Sequence, residues 1–253
     1  SSFFDAYLLL LIDSLKKNNL DQAYNYLLKA NEFAQQDRFD LAILESLRQY
    51  VYVFKEKKFL NNKKNLGKLS IISDTFQRCY LGDPKTDEYF SNLINNNESD
   101  FTRYIYFYLN YLIENDRLDE AKNITQEIEF INTTLLLSQG KSWIENENAQ
   151  KLNKVFSCKN HNDLISEFLF LISNLYSSED NFEKSNFYLY LSNFLNPKFI
   201  FNLSLVAENH FLNKDYEKAK KVLKKFKKEE NFYYWYRLKK EAQIIGKQRN
   251  DKE

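Results

Sequence analysis

A short motif recurs along this chain, and the distance between its copies restricts the fold more than any other feature. The two clearest copies are Asp180-Asn-Phe-Glu-Lys-Ser185 and Asn213-Lys-Asp-Tyr-Glu-Lys-Ala219. Their last, small residues lie 34 residues apart. A fixed period of this size indicates one helical hairpin per copy, each stacked on the next.

The residue types of the motif suit a turn between two antiparallel helices. A polar Asn/Asp segment ends the first helix, and an aromatic residue or a leucine fills the corner. Acidic residues follow at the start of the second helix, where they favour the positive end of its dipole. The small residue then lets the two helices approach closely. Two further copies run from Asn115 to Ala121 and from Asn18 to Ala23.

In these segments the chain resembles the tetratricopeptide repeat family. The resemblance implies an all-α fold, an α-solenoid of about seven antiparallel helical hairpins. Successive motifs fall four residues short of whole periods twice, between Ala23 and Ala121 and between Ala121 and Ser185, so shortened or irregular hairpins are expected there. We predict one array over residues 1–246 and a polar tail over 247–253, with the clearest repeats at 4–34, 102–135, 166–199 and 200–233.

Composition supports long helices joined by short polar connections. The chain has only four glycines and two prolines, well below the usual ~7% and ~5%, whereas sheets need such residues in tight turns. The apolar stripe that follows Gln36 predicts a helix over residues 39–58 and not another turn of the motif. Further helices are predicted at 67–80, 85–95, 101–114, 118–130, 132–145, 148–157, 162–177, 181–194, 198–212, 216–228 and 231–246.

Charge is unevenly distributed along the chain. The formal net charge is +1, but residues 214–253 hold 14 Lys/Arg against 7 Asp/Glu, which leaves 22 against 28 in residues 1–213. Within the lysine-rich stretch 218–228, an apolar stripe predicts an ordinary helix with lysines on its water-facing side. A patch that docks an acidic protein or an anionic lipid surface is the alternative.

Few residues suggest catalysis or metal binding. The two cysteines, Cys79 and Cys158, are too few for a framework of several disulfides. Cys158 and His161 are possible ligands, but a zinc site takes three or four protein ligands, so we interpret this segment as a loop at a helix end. All glycines are isolated, which excludes a glycine-rich phosphate loop. We therefore predict no catalytic residue, no metal and no cofactor.

The sequence leaves the compartment open. It contains no methionine, so we expect the natural start of the chain to lie elsewhere, and no targeting signal is assigned. Its longest apolar runs are shorter than the ~20 residues that a membrane-spanning helix needs. A soluble segment of the bacterial cytoplasm or periplasm is expected.

The resemblance also implies a binding surface, since in this family the first helices of successive hairpins line a concave groove. Asn110 and Asn174 coincide with an asparagine that chaperone-binding members use to hold a carboxylate, but Tyr106 and Phe170 replace the lysine of that clamp. A mixed aromatic and polar groove for a peptide or helix is predicted instead. The residues expected to bind the partner are Arg103, Tyr106, Asn110, Glu114, Glu167, Phe170, Asn174, Ser204, Glu208 and Phe211.

The function predicted from the sequence is that of a non-enzymatic scaffold or adaptor that binds another protein. One alternative is an envelope or membrane-surface assembly factor that docks through the basic C-terminal end. A helical-repeat RNA-binding protein is a further alternative, but the acidic balance of residues 1–213 speaks against it.

Overall fold

A computed structural model describes residues 2–34, 38–95, 102–128, 134–229 and 231–250. These residues form fourteen α-helices and no strand, and helices that are neighbours in sequence pack against each other. The all-α prediction is confirmed. The helices are α1 (Ser2–Lys16), α2 (Leu20–Phe33), α3 (Arg38–Glu56), α4 (Lys68–Leu81), α5 (Thr86–Ile94), α6 (Thr102–Glu114), α7 (Leu118–Glu127), α8 (Leu135–Glu145), α9 (Lys151–Val155), α10 (His161–Ser178), α11 (Phe182–Leu195), α12 (Asn202–Leu212), α13 (Tyr216–Leu223) and α14 (Asn231–Asn250).

The chain divides into two compact units. Unit 1 comprises Ser1–Tyr111 and Phe156–Phe168, and unit 2 comprises Leu112–Val155 and Leu169–Glu253. Helices α6 and α10 therefore contribute residues to both units. The single array over residues 1–246 stays a prediction.

The same turn ends six of the described helices, namely α1, α4, α6, α8, α10 and α12. In each turn one residue has a positive φ between 57° and 64°. Its N–H donates to the carbonyl three residues earlier, and the next N–H donates to the carbonyl five residues earlier. This pair of bonds satisfies carbonyls that the end of a helix leaves without partners. The positive-φ residues are Asn18, Gly82, Asp116, Glu147, Asp180 and Lys214.

All four motifs predicted from the sequence form this turn. The small residue of each motif lies five positions after the positive-φ residue and has no exposed surface. The second helix then starts as expected, and the side chain of Asn181 accepts a hydrogen bond from the Lys184 N–H at one such start. The four small residues are Ala23, Ala121, Ser185 and Ala219.

The turn at Glu147 explains the shortened spacing in the middle of the chain. It lies nearly midway between the turns at Asp116 and Asp180, so the deficit of four residues is divided between two shortened hairpins. The sequence did not predict this turn because Leu152 occupies the place of the small residue. Gly82 forms a further such turn, one full period of the motif before Asp116.

Several helix boundaries differ from the prediction. Helix α13 ends at Leu223, not residue 228, since Phe226 leaves the helix and stacks on Tyr233 at 5.6 Å inside unit 2. Helix α9 is also shorter than predicted, and α12 begins at Asn202 because Pro197 lies in a separate turn. Helix α14 continues to Asn250, through much of the predicted polar tail.

Each unit has its own buried core. In unit 1 the ring of Phe76 makes edge-on contacts with Phe90, Phe107 and Phe156 at centroid distances of 5.2–6.1 Å. In unit 2 aliphatic and aromatic side chains of α10–α14 pack together, among them the stripe that was predicted for α13. That stripe consists of Ala219, Val222, Leu223 and Phe226.

A disulfide joins Cys79 on α4 to Cys158 in the turn before α10, both within unit 1. Both residues are buried, and their Cα atoms are 5.6 Å apart although 79 positions separate them in sequence. The sequence excluded a framework of several bridges and did not predict this single one. Cys158 is thus unavailable as a metal ligand, and His161 begins α10 with its Nε2 3.0 Å from the Leu15 carbonyl oxygen.

Removal of the bridge should destabilise unit 1. Closing a loop of this length restricts the unfolded chain by about 4 kcal/mol. We expect dithiothreitol to lower the thermal midpoint of the wild-type protein and to leave that of the Cys79→Ala/Cys158→Ala variant unchanged, as measured by circular dichroism. An equal response of the two proteins to the reductant would contradict the assignment.

Candidate functional site

An open groove lies within unit 2, along helices α10, α12 and α14. Its volume is about 290 Å³. Four of the residues that the sequence assigned to partner binding line it: Phe170, Asn174, Ser204 and Glu208. The remaining lining residues are Thr134, Leu135, Phe201, Leu205 and Tyr236.

The floor of the groove is mainly apolar. Phe170 is only 7% exposed, and its ring lies 5.6 Å from that of Phe201. Ser204 is also buried and donates its hydroxyl proton to the Phe201 carbonyl. Asn174 is exposed at the rim and Leu205 is half-buried. The groove therefore combines an apolar floor with a polar edge.

Helix α14 forms one wall of the groove through two polar contacts to α12. The hydroxyl of Tyr236 donates to the Ser204 carbonyl at 3.1 Å, and the Nζ atom of Lys240 lies 2.6 Å from a Glu208 carboxylate oxygen. The two contacts lie one helical turn apart on each helix, at Ser204 and Glu208 on α12 and at Tyr236 and Lys240 on α14. Burial, together with the Glu208 carboxylate, raises the pKa of Tyr236, so its hydroxyl keeps its proton and remains a donor.

A second depression of about 520 Å³ adjoins the groove and shares Glu208 with it. It contains Phe211, the fifth predicted residue found in this part of unit 2. The ammonium group of Lys240 lies 4.5 Å from the centre of the Phe211 ring, a cation–π contact. The Glu208–Lys240 pair thus stands where the two depressions meet.

Two predicted binding residues, Arg103 and Glu167, bind each other inside unit 1. The guanidinium donates two hydrogen bonds to the carboxylate at 2.8 and 2.6 Å. The two side chains are 13% and 2% exposed. Burial raises the pKa of Glu167 and Arg103 opposes that rise. Although its members are distant in sequence, this pair holds α6 to the start of α10.

Other predicted residues on α6 belong to the interior. Tyr106 and Asn110 have no exposed surface, and the Asn110 amide donates to the Phe156 carbonyl at 2.7 Å. Glu114 is half-buried in unit 2. Partner binding by these residues, and by Arg103 and Glu167, stays a prediction.

A buried asparagine that the sequence did not single out positions the groove. Asn209 on α12 accepts a hydrogen bond from Ser177 on α10 at 2.6 Å. Its amide donates to Ser185 at 2.7 Å and to Asn186 at 2.9 Å, both on α11. One side chain therefore fixes three helices, and the small residue Ser185 also serves as a polar partner.

A separate depression between α11 and α13, of about 490 Å³, contains the other histidine. Nδ1 of His210 lies 3.8 Å from Asp215, which also pairs with Lys218 at 3.2 Å. Burial lowers the pKa of His210 and Asp215 opposes that effect. No Ser, Thr or Cys is among the residues that line it.

The part of the chain that the structure describes contains neither a metal-binding cluster nor a membrane-spanning helix. In the described ranges, no group of three or more His, Cys, Asp or Glu side chains is placed to hold a metal ion. None of the described helices is long and apolar enough to cross a membrane. Comparisons with protein-family models, with curated proteins and with solved structures found no match for this chain.

The Arg103–Glu167 pair should behave as a structural element. Loss of one partner leaves a buried charge alone, which costs about 3–5 kcal/mol. We expect Arg103→Leu and Glu167→Leu each to lower the free energy of unfolding in urea by that amount, and the double variant to lose clearly less than the sum. Additive losses would mean that the two side chains do not interact.

Proposed function

We propose that this protein is a non-enzymatic scaffold of tetratricopeptide-type hairpins that binds a segment of another protein in the groove of unit 2. One observation carries the proposal. Phe170 and Ser204 lie 34 residues apart, as do Asn174 and Glu208, and all four line one groove. Residues at equivalent places in successive repeats thus meet on a single surface, as a repeat array requires.

The recurring turn supports the repeat interpretation. From Gly82 to Lys214 its copies keep close to the period of the motif, and only the two hairpins on either side of Glu147 are slightly shorter. Helix α14 packs on α12 in unit 2 as the first helix of a further hairpin would, because its contacts to α12 join residues separated by nearly one period of the motif. This regularity of spacing and bonding supports the solenoid prediction.

The chemistry of the groove favours a peptide with a large apolar anchor. Phe170, Phe201 and Leu205 offer an apolar surface that such a side chain would cover. Asn174 is exposed at the rim, where its amide can bond the peptide backbone, while Lys240 neutralises Glu208. Most of the binding energy should therefore come from the buried anchor and not from charge.

The groove is tested with Leu205→Glu, which places a carboxylate on its apolar surface, and with Asn174→Arg at the exposed rim. Leu238→Glu, on the far side of α14, is the matched control. Displayed peptides selected on the wild-type protein should bind Leu205→Glu at least about tenfold more weakly and the control unchanged, by fluorescence anisotropy.

Three results bear on this test. Weaker binding by both groove variants supports the proposal. Equal binding by the wild-type protein and the two groove variants would reject the groove as the site. Circular dichroism melts of each variant separate a lost contact from a lost fold.

We also infer that the protein works in an oxidising compartment, because a buried disulfide persists there and is rare in a reducing cytosol. Of the two compartments expected from the sequence, this favours the periplasm. Source cells quenched in acid and then alkylated with a maleimide in denaturant, without reductant, should give Cys79 and Cys158 unmodified by mass spectrometry. Full labelling of both thiols would refute the inference.

A further inference from the structure

Helix α14 carries an apolar stripe on the side away from the core of unit 2. Trp235, Leu238 and Ile245 are 60%, 47% and 49% exposed, and Ala242 between them is exposed as well. We call these four residues the outer face. They follow one another at steps of three, four and three, the spacing of one side of a helix.

The opposite side of α14 is already used for packing. Tyr233, Lys240 and Ile244 are buried there. The outer face, in contrast, is apolar and has Trp235 as its most exposed residue. An exposed apolar stripe of this kind marks a binding surface.

The shape of the outer face favours a helix as its occupant. Steps of three and four residues produce the narrow seam along which two helices pack. Ala242 is a small residue at the middle of the stripe, where it allows the backbone of a second helix to come close. The stripe ends at Arg249, which stands at its next position.

The charges around the outer face are basic. Residues 231–250 contain five Lys/Arg and one carboxylate, Glu241, which is already paired with Arg237 at 2.9 Å. Lys239 is exposed beside the stripe and Arg249 at its C-terminal end, and the Lys239 ammonium lies 5.2 Å from the centre of the Trp235 ring. On neighbouring α13, Lys221 is exposed, and Lys220, which pairs with Glu217, bonds to Gln248 where the two helices meet.

We propose that the outer face docks an amphipathic helix of a partner protein whose seam is flanked by acidic side chains. Such a helix would cover Trp235, Leu238 and Ile245 and place carboxylates beside Lys239 and Arg249. A second copy of this chain fits less well, because two outer faces would bring their basic side chains along one seam. This surface is separate from the groove, and its proposal does not depend on the groove.

The probe is a designed helical peptide of about 21 residues with leucines along one seam and glutamates beside them. Its twin has lysines in place of the glutamates. The acidic peptide should bind the wild-type protein roughly tenfold or more tightly than the twin, with a gain of helix in circular dichroism. Binding of neither peptide, or of both equally, would overturn the proposal.

Two variants locate the contact. Leu238→Glu should weaken binding of the acidic peptide roughly tenfold, whereas Leu205→Glu in the groove should leave it unchanged. The exposed double variant Lys239→Glu/Arg249→Glu, which does not alter the core, should instead favour the basic twin. Retention of the wild-type preference by both outer-face variants would refute the assignment.

An anionic membrane is the competing occupant, and flotation tests it directly. Vesicles of phosphatidylcholine, with and without about 30 mol% phosphatidylserine, supply the two arms. We expect the wild-type protein to remain unbound in both. Flotation with the anionic vesicles that Leu238→Glu abolishes would replace the proposed helix with a lipid surface.

Discussion

The turn that ends six of the described helices is the interaction on which the rest of the structure depends. It bonds the last carbonyls of a helix and reverses the chain, so that the next helix runs back along the first. Five of its six positive-φ residues are not glycine, and each accepts a left-handed conformation that costs about 1 kcal/mol or more. The two hydrogen bonds of the turn, and a fully buried residue five positions later, offset that cost.

Polar contacts between helices determine which helices pack against each other and in which register. Apolar burial stabilises a core without direction, whereas a buried amide that lacks a partner is costly. The Asn209 side chain can form its hydrogen bonds to α10 and α11 only if both helices lie beside α12 in one register. Asn202, which donates to Ser192 at 2.6 Å, imposes a similar condition between α11 and α12. The groove takes its shape from this register.

Helix α14 gives unit 2 two surfaces of different character. Its inner side carries Tyr236 and Lys240, which complete the groove against α12. Its outer side carries Trp235 and Leu238, whose apolar surfaces are about half exposed to water. Neighbouring positions on a helix point about 100° apart, so one helix can present different surfaces on its two sides. The inner surface borders an apolar groove in which Lys240 neutralises Glu208, and the outer surface is an apolar stripe next to basic side chains.

The sequence by itself determined the helices, the four clearest turns and the meeting of Phe170, Asn174, Ser204 and Glu208. These follow from local bonding and from a step of constant length that repeats between adjacent hairpins. Only the tertiary structure decided that Cys79 meets Cys158, that Arg103 binds Glu167 and that Tyr106 and Asn110 are interior. The disulfide and the ion pair join positions that are distant in sequence. The burial of Tyr106 and Asn110 depends on which side of α6 its neighbours cover. Local periodicity encodes neither property. The turn at Glu147 has local bonds like the other turns, but the sequence did not predict it because Leu152 replaces the small residue of the motif.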